Sequence, residues 1–220
     1  MDSIDYKNLY QLQDEVLSVI FSTESEFYLT GGTCLSRFYQ SKRYSDDLDF
    51  FTNSSPRYSF AVKKIKLALQ ERFILEPQVE SKNFARFMIN NQLQIDFVND
   101  TASRFKDIIL TKENYLIDNV ENILSNKLTA VIGRDNSKDI FDIYLISKYY
   151  SFSWSDILSS AHQKAVFTNE DLLVRLQEFP KKLLFNIKII DKTFLNDFDN
   201  EFPDLIREIA KKSNHMPVTN

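Results

Sequence analysis

Two aspartates one residue apart, Asp47 and Asp49, flank Leu48 at the start of the run DLDFFT. In a strand, residues i and i+2 share a face, so both carboxylates point one way while Leu48 points into a core. Two like charges side by side are unfavourable unless something positive sits between them. A divalent cation is the usual solution, and Mg²⁺ bound with a nucleoside triphosphate uses one or two carboxylates. Upstream, Gly31 and Gly32 stand between a predicted strand, Glu26–Thr30, and a predicted helix, Thr33–Tyr39. Glycines there let the backbone approach a phosphate, with the helix N-terminal N–H groups facing it. Thr33 could cap that helix or donate its hydroxyl to a phosphate. Arg43 and Ser45, just before the aspartates, could contact phosphate oxygens.

A third carboxylate, Asp96, interrupts the otherwise apolar strand LQIDFV. Burying it without a partner is costly, and a metal shared with Asp47 and Asp49 would explain all three. Nucleotidyl transfer has this requirement. Metal ions orient the triphosphate, activate an attacking hydroxyl and stabilise the leaving pyrophosphate.

Positioning these residues takes a mixed set of elements. Ile4, Leu9, Leu12, Val16, Leu17, Ile20 and Phe21 recur at helical spacing and predict a first amphipathic helix over 4–21. Leu48–Thr52 is a predicted strand, and Pro56 opens a helix to about Phe73. Three strands follow over 74–80, 84–89 and 93–98; Asn90 and Asn91, tolerant of positive φ, join the last two. From about Asn119 the chain reads as successive helices, broken near Gly133–Ser137, Tyr150–Ser153, Thr168, Pro180 and Pro203. The predicted fold class is α+β: a small mixed sheet with flanking helices over 1–115, then a helical domain over 116–220.

Composition narrows the class. Among 220 residues, 43% are hydrophobic and 14% aromatic, enough for a substantial core. No apolar run reaches the roughly 18 residues that span a bilayer, and the polar, acidic N-terminus is unlike a signal peptide. The single cysteine, Cys34, excludes an internal disulfide and suits a reducing, cytoplasmic setting; a buried small apolar role is expected for it. A net charge of −4 gives no global attraction to nucleic acid.

The order GGT-x-L followed by R-x-S-x-D-L-D-F resembles the AbiEii/AbiGii nucleotidyltransferase toxin family, within the DNA polymerase β-like superfamily. The matching residues are Gly31, Gly32, Thr33, Leu35, Arg43, Ser45, Asp47, Leu48 and Asp49. Downstream, Lys127 and Ala130 in KLTA, then Arg134, then Asp139 and Asp142 match the family's second block. The similarity spans roughly residues 25–150. It implies a nucleotidyltransferase using Mg²⁺ or Mn²⁺ and a nucleoside triphosphate, the toxin of a toxin–antitoxin or phage-defence system, with a cognate antitoxin and with tRNA as a possible acceptor. By this resemblance Asp47 and Asp49 hold metal, Lys127 contacts the triphosphate, and Asp142 orients it or the site. Asp96 joins them by strand logic alone.

Plainer readings stand beside these. Asp47 and Asp49 could lie in an ordinary turn, and Asp96 could simply pair with a basic residue. The basic partner expected for Asp96, as a strand-end residue, is a lysine; Lys127 could be a solvated helix residue, and Asp139 could serve the helix dipole. Lys63, Lys64, Lys66 and Arg72 form a solvated basic face, with RNA contact as the alternative. His162 and His215 are expected at the surface. For function, the alternatives are a small-molecule nucleotidyltransferase, such as one acting on an antibiotic, and a non-catalytic nucleotide- or partner-binding module on the same fold.

Overall fold

The computed structural model describes residues 4–217. The chain forms two compact units. One takes residues up to Cys34, then Ser45–Ser103 and Asp107–Asp118; the other takes Leu35–Tyr44, Arg104–Lys106 and the chain from Asn119 onward.

The first unit is built on a seven-stranded mixed sheet in the order β3-β4-β5-β2-β1-β7-β6. Its strands are β1 (Tyr28–Thr30), β2 (Asp47–Asn53), β3 (Leu75–Glu80), β4 (Phe84–Ile89), β5 (Leu93–Asp100), β6 (Ile109–Leu110) and β7 (Leu116–Ile117). The last two are too short to show a period in the sequence. The central pair, β2 and β5, is parallel, with Asp49 opposite Asp96; β4 runs antiparallel to β5. Alternation on β2 buries Leu48, Phe50 and Thr52 and leaves Asp47, Asp49 and Phe51 on the other face. Helices α1 (Tyr6–Thr23) and α3 (Tyr58–Gln70) bury Val16, Leu17, Ile20, Ala61, Ile65 and Leu69, whereas Ile4, counted in the predicted stripe, precedes α1 and is exposed and Phe21 is half-buried. Phe27, Phe50 and Phe97 form the aromatic centre, with ring centroids 5.0 and 5.2 Å from Phe97. Asn90 and Asn91 have φ of 51° and 55°, the left-handed conformation expected of them.

Helix α2 (Gly31–Phe38) begins two residues before the sequence suggests, so the glycines form its first turn. Cys34 on this helix is fully buried, and burial pushes its thiol well above the ordinary value. The native protein is therefore expected to resist alkylation of its single cysteine. Mass spectrometry after iodoacetamide treatment, with and without denaturant, checks this; rapid labelling of the native form contradicts the packing.

The second unit is helical: α4 (Val120–Gly133), α5 (Ser137–Tyr149), α6 (Trp154–Lys164), α7 (Asn169–Gln177) and α8 (Phe198–Lys211), with a 3₁₀ segment over Lys181–Asn186. The breaks near Asn136, Ser153 and Thr168, like the start at Asn119, are caps, while Pro180 leads into the 3₁₀ segment without a side-chain cap bond. Asn119, Asn136, Ser153 and Thr168 each bond a first-turn backbone N–H. Pro203 is the exception, because α8 runs straight through it. It falls early in the helix and removes a single ladder bond. Phe198, Phe202, Leu205, Ile206 and Ile209 bury one continuous stripe that outweighs that loss. His215, expected at the surface, is buried between a Glu208 carboxylate and the Ser147 carbonyl and stacks on Phe152. His162 is exposed, as its surroundings in the sequence suggest.

Candidate active site

Asp47 and Asp49 lie on one face of β2, each partly exposed, with Leu48 fully buried between them. The face is set by the neighbours. Leu48, Phe50, Ile95 and Phe97 are all fully buried on the opposite side, so the aspartates cannot rotate inward without expelling them. Thr33 and Ser45 support the start of β2 from inside. Thr33 Oγ1 donates to the Asp47 carbonyl and lies 2.8 Å from Ser45 Oγ. Ser45 is in turn held by Tyr10 and Gln13 of α1, through its N–H at 3.1 Å and its carbonyl at 3.1 Å. Thr33 and Ser45, expected on a phosphate, are thus interior supports of the carboxylate strand, both nearly fully buried.

Gly31 is where the glycine turn and the carboxylates meet. Its φ of +71° is the left-handed conformation that glycine adopts freely, and a Cβ added there would lie 2.7 Å from Asp49 Oδ2. The first turn of α2 therefore begins against the Asp49 carboxylate, at the helix end that attracts negative charge. Gly32, next in the turn, is buried.

Asp96 is opposite Asp49 in register, which brings the third carboxylate to the same face. Both its oxygens are engaged by a residue that the sequence reading passed over. Arg86 on β4 donates from Nε to Oδ1 at 2.8 Å and from Nη2 to Oδ2 at 2.6 Å. Strand alternation in FARFMI was a signal for Arg86, but only once the hairpin register was known.

Among the described residues, no group of three or more His, Cys, Asp or Glu side chains comes together as a metal-holding cluster. The Asp47–Asp49 pair by itself has the right chemistry for Mg²⁺ or Mn²⁺. It offers two hard carboxylates, and such ions complete their shell with water and phosphate oxygens. The pair fits a divalent ion; Asp96 is turned to Arg86.

The second unit gathers the remaining site residues into one buried network. Arg43 grips Asp142 with two parallel bonds, Nε to Oδ1 at 2.7 Å and Nη2 to Oδ2 at 2.8 Å. Lys127 Nζ lies 2.8 Å from both Asp142 Oδ2 and Asp139 Oδ1. Arg134 closes the chain on Asp139 at 2.7 Å. Arg43 is placed by backbone bonds on either side of it, Tyr44 N–H to the Lys188 carbonyl and Ile190 N–H to the Lys42 carbonyl. Asp139 and Asp142, three apart, share a face of α5 as their spacing requires. Burial alone would raise both carboxyls and lower the Lys127 ammonium. The opposite charges win: Arg43 and Lys127 hold Asp142 below the ordinary range, Lys127 and Arg134 do so for Asp139, and the two aspartates hold Lys127 above its own. Arg43, at 2% exposure, has its guanidinium occupied inside the protein, where a phosphate contact had been expected. Lys63, Lys64 and Arg72 are exposed, in keeping with a solvated face.

No helix among the described residues is long and apolar enough to cross a membrane. No curated protein sequence matches the chain. Three solved structures share its fold across nearly its whole length. A crystal structure of JHP933 from Helicobacter pylori matches with TM-score 0.60 and 20% identity, covering 96% of each chain. A second H. pylori protein, described as a candidate nucleotidyltransferase, matches with TM-score 0.62 and 22% identity over 96% of this chain and 97% of its own. MenT4, a nucleotidyltransferase toxin from Mycobacterium tuberculosis H37Rv, matches with TM-score 0.56 and 13% identity over 94% and 92%. The sequence family described as nucleotidyl transferase AbiEii toxin, of type IV toxin–antitoxin systems, matches residues 18–214. That match takes in both the carboxylate strand and the buried network, and the chain belongs to the AbiEii family of nucleotidyltransferase toxins.

Proposed function

We infer that this nucleotidyltransferase toxin is metal-dependent and moves a nucleotide from a nucleoside triphosphate to an acceptor hydroxyl, with the 3′ end of a tRNA as the acceptor class. The observation that carries this reading is the contact between the Gly31 turn and Asp49. A backbone able to approach phosphate lies against one of two carboxylates that fit a divalent ion. Asp47 and Asp49 would hold that ion, which supplies charge stabilisation to phosphoryl oxygens and activates a hydroxyl. Gly31, partly exposed, would let the start of α2 approach phosphate oxygens, and the buried Gly32 would close the turn behind it. Thr33 and Ser45 fix the height of β2 and so the spacing of its two carboxylates. Within the helical unit, three cations face two carboxylates, which leaves one surplus positive charge, with Arg134 its exposed member. Asp142 then acts by orienting Lys127 and Arg43. The reaction belongs in the cytoplasm, with a cognate antitoxin controlling it.

The direct test incubates the protein with labelled nucleoside triphosphates, Mg²⁺ and bulk tRNA. Label is expected on RNA, and Asp47→Ala or Asp49→Ala is expected to reduce its transfer by roughly 10²–10³-fold, the scale of a lost transition-state charge contact. Absence of transfer to any RNA, or equal transfer by the variants, counts against the reading. Transfer to a small hydroxylated compound in place of RNA favours the small-molecule enzyme.

A further inference from the structure

Four residues on adjacent strands form a row across one face of the sheet. Thr30 on β1 is opposite Asp49 on β2, Asp49 is opposite Asp96 on β5, and Asp96 is opposite Arg86 on β4. Opposite residues in a sheet share a face, with Cβ atoms about 4.5–5.5 Å apart. Asp96 therefore stands between a carboxylate on one side and a guanidinium on the other. In the structure it is turned to the guanidinium, with two charge-assisted bonds of 2.8 and 2.6 Å. Asp96 is almost fully buried, whereas Arg86 is 36% exposed and braced by the Phe84 ring, 5.4 Å from its guanidinium carbon. Charges on Asp49 and Asp47 also reach Arg86 and help to hold it protonated. On the other side of the row, Thr30 donates to Asp118 at 2.6 Å.

This geometry departs from the expectation of three carboxylates around one metal. A bidentate Arg–carboxylate pair takes one lone pair on each oxygen and fixes the carboxylate's plane, so while Arg86 holds it Asp96 is oriented toward the guanidinium and its charge is already balanced. Arg86 also places one positive charge beside the two remaining carboxylates, which weakens the field a cation would feel.

We propose that Arg86 is the positioning residue of the carboxylate site, withholding Asp96 and limiting the resting site to the Asp47–Asp49 pair. The inference rests on the metal-dependent reading given above. In it, divalent-ion affinity is set as much by Arg86 as by the carboxylates, and the third carboxylate becomes available only when the guanidinium is drawn away. An incoming triphosphate, which carries its own negative charge, is a chemical class that could draw it.

The test is Mn²⁺ binding by calorimetry or electron paramagnetic resonance, without nucleotide, on the full chain. Arg86→Gln and Arg86→Met are expected to bind Mn²⁺ about tenfold more tightly than the parent, the lower end of the effect that outer-shell partners have on metal affinity. The double variant Arg86→Gln/Asp96→Asn is expected to lose that gain, because the liberated ligand is then missing. Circular dichroism and the melting temperature verify that each variant is folded; two different replacements guard against the failure of one. Unchanged or weaker affinity in both folded Arg86 variants, while the parent binds, overturns the role of Arg86 and leaves the metal reading standing. If neither parent nor variants bind, the metal reading fails and this inference with it. Binding that appears only after Arg86 is replaced supports the proposal in its strongest form.

Discussion

Asp142→Ala is expected to destabilise the protein by about 3–5 kcal/mol, the cost of leaving a buried charge without its partner. Asp142 is 1% exposed and its main partner Arg43 is 2% exposed, so water cannot replace the lost carboxylate. Arg43 and Lys127 would be left with Asp139 as the one remaining carboxylate of the network. Urea denaturation measures the change; a loss below about 1 kcal/mol would show that the network relaxes or hydrates freely. The paired replacement Arg43→Met/Asp142→Leu separates the cost of an orphaned charge from the value of the pair. It is expected to recover much of the loss, as exchanges of buried ion pairs for apolar groups often do.

The same network has a pH signature. Asp142 and Asp139 are held below their ordinary value of 3.8, so the stability they contribute is complete above that value. It is lost as pH falls through their lower folded-state values, where the native carboxylates take up protons. Lys127 is held above its ordinary value of 10.5, so its contribution is complete below that and is lost as pH rises beyond it. The network is thus at full strength across the neutral range, and Asp142→Ala should flatten both edges of the stability profile.

Gly31→Ala is the second large effect. A non-glycine residue at φ +71° costs about 1–2 kcal/mol, and the new Cβ must push aside the Asp49 carboxylate, 2.7 Å away. Moving a reacting group by an ångström can cost about 10²-fold in rate. A nucleotidyl transfer rate reduced by that order is therefore expected, together with a lower melting temperature. Gly133→Ala is the matched control. Gly133 ends α4 with nothing within 4 Å of its added Cβ, so alanine there should be neutral or stabilising by up to about 1 kcal/mol. Equal behaviour of the two variants would remove the special role of Gly31.

Much of the architecture was legible in local pattern. The apolar spacing of α1 and α3 follows from burial of one stripe. The helix breaks after Asn119 follow from Asn, Ser and Thr caps, whose hydrogen bonds reach no further than three residues. The shared face of Asp47 and Asp49 follows from alternation alone. Where local pattern failed, longer-range packing won: α8 continues through Pro203 because its apolar stripe is buried, and His215 is buried because Phe152 and Glu208 lie against it.

Residue type and spacing singled out the glycine turn and the paired aspartates as the proposed carriers of the chemistry, and resemblance to the family added Lys127 and the aspartates of α5. Their partners are set by packing between distant segments. Arg43 meets Asp142 across 99 residues, and no local rule selects one carboxylate over a phosphate at that distance. Arg86 meets Asp96 because the hairpin pairs Ile89 with Leu93 and leaves three residues in the turn. A turn one residue shorter would place Ile95 opposite Arg86 instead, since a slip of one residue exchanges the two faces of a strand. The residue types are local to the sequence, but the register of a single turn settles whether Asp96 faces an open site or a guanidinium.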